Sequence, residues 1–220
     1  ALPGGEGAIR EPWKIAISYL YDTFKEDYTV YVPKHLQEKK HQIITEIIKK
    51  DINSPKASSI GRLFDAVAAL LGFDAKITFQ GEAAIDLENL CCRDDQSFYQ
   101  YNISLEDGIY IIDCKPLIKS VVIEVIDGID KELIARRFHN TIIKFTIELC
   151  EILRKEYNLS SVVLSGGVFQ NEILLINIYK ELIKRDFKVY IHEQIPANDE
   201  GISIGQMIIG NEILKKELVF

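Results

Sequence analysis

The pair Gly166-Gly167 stands between a predicted strand and a predicted helix, and it is the first candidate for chemistry. Glycines at such a turn let backbone N–H groups approach a phosphate, and a helix start adds partial positive charge. The alternative is a tight turn that needs glycine for steric reasons alone. Neither the Gly-Lys-Ser/Thr of a Walker A loop nor the spaced glycines of a dinucleotide fingerprint are present in the sequence.

Two carboxylates stand where a nucleotide or its metal ion could be held. Asp199 lies at a predicted helix start, where a short carboxylate can project into a cleft and bind magnesium. The alternative is that Asp199 caps the helix. Asp65 lies one helical turn after Arg62 and could accept hydrogen bonds from ribose hydroxyls. The alternative for that pair is an exposed i,i+3 ion pair, worth roughly a few tenths of a kcal/mol.

Basic residues and histidines complete the set of candidates. Arg10 and Lys14 are four residues apart, so a helix beginning nearby places both on one face. There they could hold an anionic substrate, or stand as two solvated cations. His139 lies on a long predicted helix, where a surface histidine is the ordinary interpretation and a site role the alternative. No two of the 4 histidines are spaced i,i+4, so a complete zinc or iron site within this chain is not expected.

The elements that must position these residues are mostly helical in the first half of the chain. Apolar spacing and start residues predict four helices. They cover residues 12–24, 33–50, the stretch that starts after Ser58-Ser59 and is ended by Gly72, and residues 82–92. Residues 108–113 predict a short strand, while 96–102 fit a strand or a loop. Residues 116–126 fit a strand or a helix, and a long helix is predicted over 131–157.

The last third of the chain reads as strand, helix, strand with short links. The strands are predicted over residues 161–164 and 187–191, and the helix over 171–185. This order predicts a parallel, right-handed crossover. A final helix is predicted from Asp199-Glu200-Gly201 onward, and no linker indicates two independent domains.

Composition limits the class of protein. The chain has 220 residues, of which 47% are apolar, enough for a substantial core. Its net charge of −7 argues against a protein that coats nucleic acid. No apolar run approaches the roughly 18 residues of a membrane span. The 4 cysteines include no C-x-x-C pair, so a reduced, cytoplasmic compartment is expected. The chain opens on Ala1, which suggests a piece of a larger protein.

Several blocks in order along the chain resemble one family. They are Leu2-Pro-Gly-Gly5, Ala8-Ile-Arg-Glu-Pro-Trp13, Ser58-Ser-Ile-Gly-Arg-Leu-Phe-Asp-Ala-Val-Ala-Ala-Leu-Leu-Gly72, Gly81-Glu-Ala-Ala84, Arg137-Phe-His-Asn140, Leu164-Ser-Gly-Gly-Val-Phe-Gln-Asn171 and Pro196-Ala-Asn-Asp-Glu-Gly-Ile-Ser-Ile-Gly-Gln206. Together they resemble the C-terminal carbamoyltransferase region of HypF, the maturation factors of nickel–iron hydrogenases. Each block alone is modest, but the ordered set is specific and covers nearly the whole chain.

This resemblance implies an α/β fold of the actin, sugar-kinase and chaperone-ATPase (ASKHA) type. The fold is shared with TsaD enzymes, which make threonylcarbamoyl-adenosine in tRNA, and with antibiotic O-carbamoyltransferases. Residues 1–220 are then expected to form the second lobe of the TsaD-like domain, with a helical insertion and without the other lobe and the upstream domains. The family implies that carbamoyl phosphate and ATP give a carbamoyl-adenylate. The carbamoyl group then passes to the C-terminal cysteine of HypE, on the way to the cyanide ligands of the hydrogenase iron.

The same resemblance implies roles for individual residues. Gly166, Gly167 and Asn171 match the block that faces the nucleotide phosphates. Asp65 matches a ribose-contacting aspartate, and Gly81 matches a glycine whose backbone lies near the adenosine. The remaining matches are Asp199 to an aspartate of the family's metal site, Arg10 and Lys14 to basic positions facing carbamoyl phosphate or the adenylate, and His139 to a site block with a catalytic role.

The implied cofactors are ATP with magnesium, and iron or zinc at the family metal site. The implied partners are carbamoyl phosphate and HypE, with neither nucleic acid nor membrane. The family's metal site also uses a His-x-x-x-His pair from the other lobe, which this chain lacks, so we expect the chain alone to be catalytically incomplete. Two alternatives stay open: a small-molecule O-carbamoyltransferase of the same fold, and a non-catalytic lobe that docks HypE.

Overall fold

The computed structural model describes residues 1–91 and 94–217, without the side chains of 216 and 217. The chain forms two compact units, of which the first ends at Thr146 and the second begins at Ile147. This boundary falls inside one helix, so no loop or change in composition marks it in the sequence.

The first unit is mainly helical. Pro12 occupies the first turn of its second helix, where a backbone N–H is not needed, and Ser59 stands at the N-cap of its fourth. Two 3-10 helices, Lys25–Tyr31 and Lys34–Leu36, separate the second and third helices. The helices are α1 (Glu6–Ile9), α2 (Pro12–Phe24), α3 (His41–Lys49), α4 (Ile60–Leu70), α5 (Glu82–Asn89), α6 (Lys115–Ile126) and the part of α7 (Lys131–Tyr157) up to Thr146.

The core of the first unit lies around α4. Every residue from Leu63 to Leu70 is buried, because α4 packs against α2, α5 and α6. Phe64 meets Phe138 of α7 edge to face, with ring centroids 4.8 Å apart, an arrangement that aromatic pairs favour. A polar residue, Asp65, is therefore carried into a largely apolar interior.

A β-hairpin in the first unit connects α5 to α6. Strands β1 (Asn102–Glu106) and β2 (Ile109–Asp113) are antiparallel, with Asn102 opposite Asp113 and Glu106 opposite Ile109. The two turn residues, Asp107 and Gly108, have φ angles of 49° and 79°. An Asp-Gly turn with both angles positive matches the right-handed twist of the flanking strands, and this explains why the chain reverses here.

The second unit contains a parallel strand pair. Strand β3 (Ser161–Leu164) lies beside β4 (Lys188–Ile191), with Ser161 opposite Lys188, which confirms the predicted parallel pairing. Helix α8 (Glu172–Lys184) connects the strands and packs against β4. After β4 come a 3-10 turn, Asp199–Gly201, and α9 (Ile202–Glu217).

Most predicted elements are confirmed, one is wrong, and one choice that the sequence left open is now decided. The single helix predicted over residues 33–50 is wrong: Lys34–Leu36 forms a separate 3-10 turn and α3 begins only at His41. Residues 116–126, left open between strand and helix, are helical as part of α6. The end of the helix predicted over 82–92 includes Cys92, which lies outside the described residues. Within the described part of the chain, no helix combines the length and apolar character needed to cross a bilayer.

Candidate functional site

The turn after β3 has a conformation that only glycine adopts readily. Gly166 has a φ of 102° and a ψ of 157°, a region that a side chain makes costly. Its backbone N–H donates to the carbonyl of Ala197, at 2.8 Å. The backbone conformation therefore requires glycine at position 166, and the N–H of Gly166 already donates to a protein carbonyl.

The next two residues leave backbone donors available. Within the part of the chain that the structure describes, no hydrogen bond takes the N–H of Gly167 or of Val168. A Cβ added to Gly167 would come no closer than 4.0 Å to Asn198 or Gln170. Two consecutive N–H groups beside a residue without a side chain can receive an anion. Gly167 and Val168 therefore offer donors for a phosphate, whereas the N–H of Gly166 donates to Ala197.

Asn171 has a structural role that the sequence did not indicate. Its side-chain oxygen accepts a hydrogen bond from the N–H of Leu174 at 2.9 Å and caps α8. The side chain is buried, with 8% of its residue surface exposed. Asn171 therefore fixes the start of α8 directly after the glycine turn, whatever ligand it also contacts.

A cavity of about 410 Å³ lies beside the glycine turn. Most of the residues that line it are apolar, and the polar ones are His192, Glu193, Gln170 and Gln194. At its edge the Nε2 atom of His192 lies 2.8 Å from the hydroxyl of Ser165. Sequence reasoning missed this pair, although each residue directly follows one of the two parallel strands and the ends of such strands meet.

Asp199 provides one carboxylate, which belongs to no metal-binding cluster among the residues that the structure describes. It is exposed at the start of the turn Asp199–Gly201, and the cap of that turn is Asn198, whose side-chain oxygen accepts from the N–H of Glu200 at 3.2 Å. The capping role considered for Asp199 thus belongs to its neighbour. Among the described residues, no group of three or more His, Cys, Asp or Glu side chains could hold a metal ion. The residues present here do not form a metal site by themselves.

Arg62 and Asp65 form a buried ion pair in the first unit, so the alternative of an exposed pair is wrong. The Arg62 Nη2 and Asp65 Oδ2 atoms are 3.0 Å apart, and 3% of the Asp65 side chain is exposed. Desolvation raises the pKa of Asp65 to about 6, although Arg62 acts in the opposite direction. A ribose contact by Asp65, which stays a prediction, requires the surrounding packing to open.

Gly81 begins α5 in a left-handed conformation. Its φ is 87°, and a Cβ added there would meet nothing within 4 Å. The following Glu82 accepts hydrogen bonds from the N–H and the hydroxyl of Thr78, which fastens this turn. The Cβ position of Gly81 therefore borders open space on a turn that Glu82 and Thr78 hold in place.

Arg10 and Lys14 stand at the junction of α1 and α2. Arg10 is exposed, and its carbonyl accepts from the N–H of Ile77 at 3.0 Å. Lys14 pairs with Glu11, whose pKa is lowered chiefly by that contact. Lys39 adds a further cation, 5.8 Å from the Trp13 ring centroid and 3.0 Å from Asp74. Glu11 therefore already neutralises Lys14, and Asp74 neutralises Lys39.

The interpretation of His139 as a surface histidine is wrong. It is 0% exposed, its Nδ1 lies 2.8 Å from the carbonyl of Ala135, and its ring meets Phe64 and Phe138 edge to face. Burial lowers its pKa to about 4, so the imidazole is neutral at neutral pH. A catalytic role for His139 stays a prediction, and direct contact with a substrate does not fit this enclosure.

Arg137 and Asn140, on either side of His139, hold a loop in place through hydrogen bonds. Asn140 donates to the carbonyls of Asp95 and Ser97, at 2.7 and 2.9 Å. Arg137 donates to Glu124 at 2.7 Å, and Glu124 accepts from the Tyr99 hydroxyl at 2.6 Å. These contacts hold residues 95–99 along α7, so the block has a structural explanation within the first unit.

Comparison with known proteins gives the same family throughout. Residues 1–206 match the family described as carbamoyltransferase, Kae1-like domain, second subdomain. Carbamoyltransferase HypF of Synechocystis sp. is 30% identical over 223 residues, covering 94% of this chain and 28% of the relative. The probable carbamoyltransferase HypF of Methanocaldococcus jannaschii is 28% identical over 207 residues, covering 92% of this chain and 26% of the relative.

Two solved structures are similar as well. A crystal structure of full-length HypF in a phosphate- and nucleotide-bound form matches with a TM-score of 0.88 and 38% identity, over 97% of this chain and 28% of that one. The structure of T. kodakarensis HypF, at 22% identity and a TM-score of 0.79 over 98% of this chain and 29% of that one, shows the shared fold alone. The expected mixed α/β fold is confirmed, and the chain spans less than a third of these proteins.

Proposed function

Since this chain belongs to the family of the second subdomain of the Kae1-like carbamoyltransferase domain, we propose that it supplies the phosphate-binding half of a nucleotide site in a HypF-type carbamoyltransferase. The whole protein would use carbamoyl phosphate and ATP with magnesium to form a carbamoyl-adenylate. It would pass the carbamoyl group to the C-terminal cysteine of HypE, for the cyanide ligands of a nickel–iron hydrogenase. A nucleotide-bound structure of a protein that is 38% identical to this chain supports the ATP part of the proposal.

The N–H groups of Gly167 and Val168, which no hydrogen bond among the described residues uses, carry this proposal. They lie on a turn that Gly166 shapes and that its hydrogen bond to Ala197 holds in place. They also lie past the carboxyl end of a parallel strand, where ligands of α/β proteins bind. Donors fixed before the ligand arrives stabilise developing negative charge without reorganisation, which is what transfer from a phosphate requires.

The other residues keep their proposed roles by resemblance. Gly81 would lie near the adenosine, and Asp65 would contact the ribose once its surroundings open. Arg10 would face the anionic substrate more readily than Lys14, since Glu11 holds Lys14. No step is assigned to a metal at Asp199, because a single exposed carboxylate does not make a site.

A pair of glycine variants tests the proposal by calorimetric titration with ATP and magnesium. Gly167→Ala adds a methyl group that the protein tolerates, with its nearest neighbours at 4.0 Å, but the methyl group stands where a phosphate would approach. We expect it to weaken binding about tenfold or more, by displacing charge-assisted hydrogen bonds. Gly205→Ala, whose added methyl group meets nothing within 4 Å, is the matched control and should bind as the parent chain does.

Two results contradict the proposal. Undiminished binding by Gly167→Ala would show that the nucleotide does not approach this turn. Absence of ATP binding by the parent chain would show that the described residues do not form a nucleotide half-site by themselves.

A further inference from the structure

Two polar side chains meet at the ends of the parallel strands. Ser165 directly follows β3 and His192 directly follows β4, and these strands are hydrogen-bonded neighbours. The His192 Nε2 and Ser165 Oγ atoms are 2.8 Å apart, and both residues are exposed. Neither residue has a part in the function proposed above, although Ser165 stands two positions before Gly167.

The surroundings of this pair carry little other charge. His192 lines the cavity beside the glycine turn, and Glu193 is the one other ionisable side chain among the residues that line it. The strand, turn and helix around the cavity contribute the uncharged residues Leu164, Phe169, Gln170 and Leu175. Among the residues that line this cavity, Glu193 is therefore the charged side chain nearest to His192 in sequence.

Proton placement decides what Ser165 can do. A hydroxyl has one proton to donate. If Nε2 of His192 carries no proton, the hydroxyl donates to it and only accepts from other groups. If Nε2 carries a proton, it donates to Oγ, and the Ser165 proton is free to point at an anion.

We propose that Ser165 is a further phosphate-contacting residue and that His192 is its positioning residue. In the bound state His192 donates from Nε2 to the Ser165 oxygen, and the hydroxyl donates to a phosphate oxygen held by the N–H groups of Gly167 and Val168. This inference rests on the proposed nucleotide site, which it extends by one donor and the group that orients it.

Binding of ATP with magnesium to the 220-residue chain and its variants is the first test. Ser165→Ala should weaken binding about tenfold, the effect of one hydrogen bond to a charged group. His192→Ala should weaken it several-fold, and His192→Gln, which keeps an N–H donor, should recover most of that loss. Thermal unfolding of all three variants should match the parent chain, because both residues are exposed.

A second measurement is independent of ATP. Nitrogen NMR of the His192 ring distinguishes Nε2 with a proton from Nε2 without one. Inorganic phosphate, added at constant ionic strength, should move the Nε2 signal to its protonated value in the parent chain and leave it unchanged in Ser165→Ala.

These results separate the two proposals. If the parent chain binds ATP and His192→Ala binds it equally well, or if His192→Gln is no better than His192→Ala, the role of His192 is refuted while the nucleotide site stands. If ATP does not bind, the nucleotide site fails and the phosphate experiment decides alone. A His192 Nε2 signal that stays at its unprotonated value in the presence of phosphate overturns the inference in either case.

Discussion

Asp65 and His139 should give the first unit two opposing dependences of stability on pH. The Asp65 carboxyl has a pKa of about 6, above its ordinary 3.8, so the folded chain binds more protons there than the unfolded chain does. Stability is then lost as pH rises through that interval. The His139 imidazole has a pKa of about 4, below its ordinary 6.5, so the unfolded chain binds more protons and stability is gained as pH rises.

The magnitudes nearly cancel. Each unit of pKa corresponds to about 1.4 kcal/mol. The contribution of Asp65 to the free energy of unfolding therefore falls by about 3 kcal/mol between pH 4 and pH 6. The contribution of His139 to the free energy of unfolding rises by about 3 kcal/mol between pH 4 and pH 6.5. In the parent chain these two contributions offset each other. Asp65→Asn should expose the rising dependence, and His139→Leu the falling one.

Urea unfolding between pH 4 and pH 7 measures the effect as a difference between each variant and the parent chain. Other carboxylates, such as Glu11 and Asp22, titrate in all three proteins and cancel in that difference. The stability of the parent chain relative to Asp65→Asn should fall by about 3 kcal/mol as pH rises from 4 to 6. A relative stability that rises would refute the reasoning, because it would mean that the Arg62 ion pair outweighs desolvation.

Three further changes test single contacts. Gly201→Ala places a Cβ 2.9 Å from the carbonyl of Pro196, so it should lower the free energy of unfolding in urea by about 1–3 kcal/mol. Gly205→Ala, whose Cβ lies in open space, is the control and should not destabilise the chain. Asn171→Ala removes the cap of α8 and should lower the free energy of unfolding by about 1 kcal/mol. Asn171→Asp should restore most of that loss, and equal stability of the two variants would contradict the capping role. Gly108→Ala strains the hairpin turn, whose φ is 79°, by about 1 kcal/mol, and faster amide exchange in β1 and β2 would report it.

Local patterns were enough to predict the parallel strand pair and the glycine turn. The short strands before Gly166 and before His192 are bounded by turns, and α8 between them shows a regular apolar spacing. Residues 116–126 were ambiguous because Val121 and Val122 suit both a strand and a helix. Their burial beside Leu117 and Ile118, on one helical face, comes from packing against α2 and α4, which the sequence does not display.

Long-range contacts account for what sequence reasoning missed. The spacing of Arg62 and Asp65 is the same for an exposed pair as for a buried one, and only the packing of α4 decides between them. His139 has polar neighbours in sequence, yet it faces Phe64 across the core. The N–H of Gly166 is used by Ala197, and Ser165 meets His192, each across a stretch that includes all of α8.

The hydrogen bond from Gly166 to Ala197 also provides a reporter of motion. Ala197 belongs to the loop after β4 that lines the cavity, residues 192–197, so the Gly166 amide proton becomes accessible to solvent when that loop detaches from the turn. The exchange rate of this one amide therefore measures how often the loop opens, and a ligand seated on the turn would slow it without touching the amide itself.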